Sequence, residues 1–234
     1  MEIKIYMKKL IKNDELKALI LVTARKNSKR IKNKNITKIK GKTTLIDLTF
    51  DFIKKNLVKY DTMVSTDSNI IKNKAKNYKF LSPWIRPKRL STDKAKSINV
   101  IIHAIKWYEK NFKKIDFVIL LQPTSPFRRI KDINSAIDLY KKKNTKNKLI
   151  SVVSCKKSVL FPPIFKKKSD GSILKIKESF ITPNGSFYII NRDKIINYKK
   201  IYGSNTFATI VNGDKFNLDI NDYYDLKKVK KYYN

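Results

Sequence analysis

The sequence predicts an α/β fold, with a mostly parallel sheet covered by helices on both faces. Three observations carry this reading. Short apolar runs without polar alternation recur at Ala18 to Ala24 (ALILVTA), Phe117 to Leu121 (FVILL) and Leu149 to Ser154 (LISVVS). Strands buried on both faces look like this. Segments with apolar residues at helical spacing lie between them, so strand and helix patterns alternate. The runs at 18–24 and 117–121 also stop abruptly in polar loops, and open α/β sheets bind ligands at that edge.

Taken in order, Ala18 to Ala24 is the first buried strand, and residues 1–17 precede it as an N-terminal extension. A polar loop, Arg25 to Asn35, follows. Leu45 to Ile53 has helical spacing, and Asp61 to Ser65 (DTMVS) is the second strand of the core. A helix is predicted over Asn69 to Asn77, then a short extended piece, Phe80 to Ile85, interrupted by Pro83. Ser97 to Phe112 is a helix with Ile98, Ile101, Ile102, Ile105 and Tyr108 on one face. Phe117 to Leu121 is a strand, Ile130 to Lys141 a helix carrying Ile133, Ile137 and Tyr140, and Leu149 to Ser154 a strand. The rhythm then changes. Lys156 to Pro183 contains Pro-Pro and Ser-Asp-Gly turns and reads as a β-rich excursion. Strands return at Ser186 to Ile190 and Phe207 to Val211, and a helix closes the chain from about Asp222 to Tyr232.

Composition bounds the function. With 234 residues and 41% hydrophobic residues, the chain fits one globular domain. No apolar run reaches the roughly 18–20 residues of a membrane span. The opening MEIKIYMKKLIKNDELK lacks an apolar h-region, so no signal peptide is expected. Cys155 and His103 are the only residues of their kinds, which excludes an internal disulfide and a Cys/His metal cluster, and a cytoplasmic setting follows. Lys and Arg number 54 against 19 Asp and Glu. The cations are mostly Lys spread along the whole chain, whereas a nucleic-acid binder concentrates Arg and aromatics on one patch. No specific nucleic-acid partner is expected, although such a field attracts polyanionic substrates.

Five constellations carry candidate chemistry. Thr23 to Asn35 (TARKNSKRIKNKN) follows the first strand, where α/β proteins place phosphate loops. It contains no glycine and is not a Walker A motif, so anion binding would rest on backbone N–H groups and on Arg25, Lys29 and Lys34. A basic solvated loop is the plain alternative. Arg86 to Ser97 (RPKRLSTDKAKS) leads into a helix. Ser91, Thr92 and Asp93 are good N-caps, which leaves Arg86 and Ser97 free. Leu120 to Arg128 (LLQPTSPFR) ends a strand in a loop stiffened by Pro123 and Pro126, presenting Gln122, Thr124, Ser125 and Arg128; an ordinary strand-to-helix turn is the alternative. Pro183 to Tyr188 (PNGSFY) reads equally as a hairpin signal. In Asn217 to Asp222 (NLDIND), alternation puts Asp219 and Asn221 on one side. Two oxygen ligands there would suit Mg²⁺ held with substrate phosphates, or else would brace the closing helix, with Asp222 as its N-cap.

Taken together and in this order, ARKNSKRIKNKN, VSTDS, RPKRLSTDKAKS, LLQPTSPFR, SVVS, PNGSFYI and LDIND resemble the acylneuraminate cytidylyltransferases, or CMP-sialic acid synthetases. The resemblance implies a Rossmann-like sheet and one cytidylyltransferase domain over residues 1–234. It implies an enzyme that joins CTP to the anomeric hydroxyl of an acidic nine-carbon keto sugar and releases pyrophosphate, with Mg²⁺ and as a homodimer. Residues 156–183 would be the excursion that reaches the partner subunit and caps the substrate. Arg25, Lys29 and Lys34 would hold the triphosphate, and Asn35, Arg86 and Ser97 the cytidine. Gln122 would face the sugar, and Asp219 and Asn221 would carry the metal.

Three departures stand out. Lys26-Asn27 replace the usual glycines, Asn221 replaces the second metal Asp, and Thr182 replaces an Arg before Pro-Asn-Gly. Three alternatives follow: transfer to an eight-carbon keto acid sugar, a catalytically weak nucleotide-binding relative, and a basic RNA-binding protein.

Overall fold

The computed structural model describes residues 16–28, 30–144, 148–159, 165–175 and 179–233. Its centre is a six-stranded sheet in the order β10-β6-β9-β5-β1-β4. These strands are β1 (Ala18–Ala24), β4 (Asp61–Thr66), β5 (Phe117–Leu121), β6 (Ser151–Val159), β9 (Ser179–Asn191) and β10 (Thr206–Ile210). β1 pairs in parallel with β4 and β5, and β10 with β6. β9 runs antiparallel between β5 and β6. The sheet is therefore mixed, with parallel pairing predominating, and the predicted α/β class holds.

β1 shows how the sequence builds the two layers. Successive side chains of a strand point to opposite faces. Ile20 and Val22 enter one core with Ile46, Phe50 and Ile53 of α1 (Leu45–Asn56), Ile71 of α2 (Asn69–Asn77) and Ile133 and Tyr140 of α4 (Ile130–Lys143). Leu19 and Leu21 enter the other with Ile101, Ala104, Ile105 and Tyr108 of α3 (Ser97–Asn111). All four β1 side chains are fully buried, and burying each is worth roughly 1.5–3 kcal/mol.

A third, smaller core positions the functional edge. Ile31, Ile39 and Leu45 pack with Ile220, Leu226 and Val229, the last two from α6 (Tyr223–Tyr233). Ile39 lies in β2 (Lys38–Lys40), which pairs with β3 (Thr43–Thr44) in a two-stranded sheet. Ile31 is the apolar anchor of an otherwise polar loop. It joins the segment after β1 to the segment before α6.

Several boundaries differ from expectation. The LISVVS strand begins at Ser151 and continues to Val159. Asn184-Gly185 is no hairpin turn: it lies inside the long strand β9, where the β6 register shifts between Val153 and Cys155. Such an irregularity re-aims side chains, and Gly185 takes φ +76° there. The excursion is β-rich as predicted. β6 and β9 extend it as a ladder from Cys155↔Pro183 to Val159↔Ser179, and β7 (Phe165–Lys167) pairs with β8 (Ile173–Lys175). Sequence reading missed α5 (Arg192–Tyr198), capped by Asn191 accepting from the N–H groups of Asp193 and Lys194. Asp222 caps α6 as expected, accepting from the Asp225 N–H at 2.9 Å. Ser91, Thr92 and Asp93 do not cap α3; its N-cap position is Lys96, without a side-chain bond. Nor does a side chain cap α4, whose N-cap position is Arg129. Among the described residues no helix is long and apolar enough to cross a membrane.

Candidate active site

The C-terminal ends of β1, β4 and β5 lie side by side. The chain goes from β1 outward to β4 and returns to β5 on the other side, so the strand order reverses at β1. Ligands bind at such switch points. A cavity of about 330 Å³ opens there, lined by Thr23, Arg25, Ser28, Lys34, Asn35, Arg86, Asp93, Ser97 and Gln122, among others. Five of those residues — Arg25, Lys34, Asn35, Arg86 and Ser97 — are the predicted phosphate and cytidine residues. Lys29 lies outside the described residues.

Four of them are held by nameable contacts. Lys34 is buried in the short turn Lys34–Ile36, and its Nζ donates to the Ile220 carbonyl at 2.6 Å. Burial lowers its pKa, while the nearby Asp219 carboxylate opposes that. Asn35 Nδ2 donates to the Arg25 carbonyl at 2.9 Å, which shapes the loop from within. Arg86 is 5% exposed, and its Nε donates to Ser91 Oγ at 3.2 Å. Burial lowers the pKa of Arg86, with the Asp67 carboxylate opposing. Arg25 reaches across the cleft to an ion pair with Asp93. Phosphate oxygens would compete with that carboxylate for the same guanidinium.

Asp67 was not singled out from sequence. Its Oδ1 accepts the Lys26 N–H at 2.6 Å and lies 3.8 Å from Arg86 Nη2. It ties the first loop to the Arg86 segment. Its signal was available: it follows β4, at the same sheet edge as Arg25 and Gln122.

The loop after β5 divides its labour differently from expectation. Gln122, Pro123 and Thr124 line the cavity. Ser125 and Arg128 are buried and are not presented to it. Arg128 donates to the Ser186 carbonyl at 2.8 Å and to Thr49 Oγ1 at 3.3 Å, and also bonds the Gln122 carbonyl. Burial pushes its pKa down to about 9, with Asp219 opposing. Arg128 thus clamps the β5 loop to β9.

Asp219 and Asn221 share a side, as alternation predicted. Asp219 Oδ1 accepts from Ser125 Oγ at 3.3 Å, and Asp219 Oδ2 from Asn221 Nδ2 at 3.3 Å. The Ile220 N–H donates to the Thr124 carbonyl at 2.8 Å, which binds this segment to the β5 loop. Gly185 is required here: a Cβ on it would lie 2.8 Å from Ser125 Oγ, 3.4 Å from Gln122 Oε1 and 3.5 Å from Asp219 Cγ. The Asn221 amide turns its NH₂ toward Asp219, while its oxygen accepts from Arg30 Nη2 at 3.0 Å. In this arrangement the Asn221 oxygen is already engaged by Arg30. Among the described residues no group of three His, Cys, Asp or Glu is placed to hold a metal ion. Asp219 alone still fits Mg²⁺, which uses one or two carboxylates with substrate phosphates and retained waters.

The chain matches the family described as cytidylyltransferase over residues 19–210. It is 28% identical to the CMP-N,N'-diacetyllegionaminic acid synthase of Legionella pneumophila over 226 residues, covering 92% of this chain and 96% of that protein. It is 31% identical to the N-acylneuraminate cytidylyltransferase of Escherichia coli over 224 residues, covering 90% of this chain and 51% of that protein, about half its length. A solved structure of CMP:2-keto-3-deoxy-manno-octonic acid synthetase complexed with CTP superposes with a TM-score of 0.65 at 16% identity, covering 93% of this chain and 98% of that chain. That likeness speaks to the fold. On the match that spans most of its length, and with the cleft where α/β sheets bind ligands, this chain belongs to the cytidylyltransferase family.

Proposed function

We propose that this enzyme transfers a cytidylyl group from CTP to the anomeric hydroxyl of a sialic-acid-like nonulosonic acid, giving a CMP-sugar and pyrophosphate. The observation that carries the proposal is the convergence of Arg25, Lys34, Asn35, Arg86 and Ser97 on one cleft with Gln122 at its side. The relatives named for legionaminic acid and for N-acylneuraminate support the sugar class.

In this reading Arg25, Lys34 and the loop backbone near Ser28 bind the triphosphate. Arg25 leaves Asp93 and takes phosphate oxygens in a bidentate way. Asn35, Arg86 and Ser97 hold the cytidine, and Gln122 orients the sugar. The sugar hydroxyl oxygen attacks the α-phosphorus in line, the bond to the β-phosphate oxygen breaks, and pyrophosphate leaves. Positioning and electrostatic stabilisation supply most of the rate in such transfers. Mg²⁺ held by Asp219 would neutralise charge on the phosphates. Ser125 Oγ donates to Asp219 Oδ1 and so ties that carboxylate to the β5 loop.

Homodimerisation through residues 156–183 belongs to the same proposal. Leu160, Phe161 and Ile164 of that apolar stretch lie outside the described residues. On the part of the ladder that is described, Phe180 is 39% and Ile181 52% exposed, and apolar side chains of this kind suit a partner surface. A reaction that consumes CTP, together with the one free, buried cysteine, Cys155, supports a cytoplasmic setting. The test is release of pyrophosphate from CTP, in the presence of Mg²⁺, with a panel of nonulosonic acids. Dependence on one of those sugars supports the reading, and no release with any of them opposes it.

A further inference from the structure

A second cavity backs onto the wall of the active-site cleft. Its volume is about 430 Å³, and Arg89, Lys94, Lys96 and Lys199 line it, with Thr92 and Asn99 among them. Thr92 and Ala95 line both this cavity and the cleft, so one turn separates the two. The Ala95 N–H donates to the Thr92 carbonyl at 3.2 Å and closes that turn. The four cations come from distant parts of the chain. Arg89 lies in the short turn Lys88–Leu90, and Lys199 follows α5. Ile195 of α5 and Ile98 of α3 share the second core, which brings Lys199 to the start of α3.

The two cavities differ in charge balance. In the cleft Arg25 pairs with Asp93, and Arg86 lies near Asp67. No carboxylate lines the second cavity. Among the described residues none of its four cations has a carboxylate partner. Like charges gathered without a counter-charge repel, and an anion between them removes that cost. Lys199 takes φ +51°, at a helix end where glycine is common, and a cation stands there instead. Arg supplies a planar fork for phosphate oxygens, and Lys supplies point charges around it. Ala95 and Ile98 add apolar lining, and the volume is in the range of small-molecule pockets. We propose that this cavity is a second anion site, separate from the cleft, and that it takes a multivalent phosphate group. The source is free pyrophosphate or the phosphate end of a small phosphorylated molecule. The site stands independently of the cytidylyl-transfer reading.

The experiment is lysine footprinting of the full chain. Brief acetylation is read by mass spectrometry while inorganic pyrophosphate or a hexose 6-phosphate is titrated in EDTA. Salt at about 0.15 M limits diffuse attraction to roughly 8 Å. Lys94, Lys96 and Lys199 should be protected together, at one half-protecting concentration. Lys76 on α2 and Lys142 on α4, both exposed, should stay reactive. Arg89→Gln removes a cation that acetylation does not read, and should raise the half-protecting concentration about tenfold, the scale of one charge-assisted hydrogen bond. Arg89→Lys should recover part of that loss. Lys76→Gln removes the same net charge elsewhere and should shift the value by less than twofold, as should Arg25→Ala in the cleft. Stronger protection by the hexose phosphate assigns a phosphorylated metabolite to the site, and stronger protection by pyrophosphate assigns the free anion. The inference is overturned if neither anion protects these lysines more than Lys76, if Arg89→Gln matches Lys76→Gln, or if Arg25→Ala abolishes the protection. The footprint needs neither CTP nor turnover. If no sugar supports pyrophosphate release from CTP, the proposed function fails while a protected site stands, and turnover without protection gives the reverse.

Discussion

Gly185→Ala probes the architecture of the site with one methyl group. Gly185 has φ +76°, and an L-residue in that region costs roughly 1–2 kcal/mol. The added Cβ would meet Ser125 Oγ at 2.8 Å, closer than real Cβ contacts allow. Ser125 is fully buried and bonded to the Asn184 carbonyl and to Asp219, so it has nowhere easy to go. Overpacking of this kind costs roughly 1–3 kcal/mol. The sum is about 3 kcal/mol, or roughly 6–12 °C in Tm for a chain of this size. Function should suffer beyond stability. Relief of the clash moves Ser125, which releases Asp219, and crowds Gln122 Oε1 at 3.4 Å. The assay is thermal melting together with steady-state pyrophosphate release, with KM measured for CTP and for sugar separately. The KM for sugar should rise more than that for CTP, because Gln122 is closer to the change than Arg86 or Ser97. Adding Ser125→Ala should restore the overpacking part of the Tm loss but not the backbone part. A Gly185→Ala protein that melts within 1–2 °C of the parent and turns over at the same rate would refute this account of the β9 irregularity.

Four further outcomes follow. Arg25→Ala should lower kcat/KM by about 2 kcal/mol, a factor of about 30, since Lys-like point charges do not replace a bidentate guanidinium; an unchanged kcat/KM removes the loop from the active site. Asp219→Ala should nearly stop turnover per folded molecule, whereas a lower Tm with intact turnover would make Asp219 only a brace for α6. Deleting 160–178 and joining the ladder with a short turn should convert a dimer to a monomer in sedimentation at micromolar concentration, and a monomeric parent would defeat the dimer proposal. Asp61 is depressed by the Tyr108 hydroxyl first, then by Lys113, while its burial acts the other way. A carboxylate depressed on folding adds stability that is present above its unfolded pKa and lost as pH falls through the folded one. Asp61→Asn should therefore flatten part of the acid limb of a Tm-versus-pH curve below about pH 4 and leave neutral pH kinetics unchanged, and an identical acid limb would contradict it.

The core of the fold was legible because its strands are buried on both faces. ALILVTA and FVILL show no alternation, and β1 and β5 have the predicted bounds. Antiparallel β9 was not legible as one strand, because Pro183, Asn184 and Gly185 punctuate it as a turn would. The short helix α5 was missed because only Asn191 and Asp193 mark its start, with too few turns for a periodic signal. In the site, the end of a strand was the reliable cue: Arg25 and Gln122 were found from it, and Asp67 was overlooked despite it. Local capping rules failed at Asp93, whose carboxylate is drawn instead to Arg25 across the cleft. The contact between Arg30 and Asn221 carried no local signal. The two residues are brought together by Ile31 and Ile220 packing together, a contact between distant parts of the chain.

The measurement that tests the central claim most directly is coupled pyrophosphate release with purified full-length protein, Mg²⁺ and each of the four nucleoside triphosphates in turn. Each is paired with sialic, legionaminic and pseudaminic acids and with an eight-carbon keto acid sugar. The account predicts turnover with CTP and one of the nine-carbon acids, lost in Asp219→Ala and sharply reduced in Arg25→Ala. Turnover with ATP or UTP at the same efficiency, or none with CTP and any acidic sugar, would contradict it.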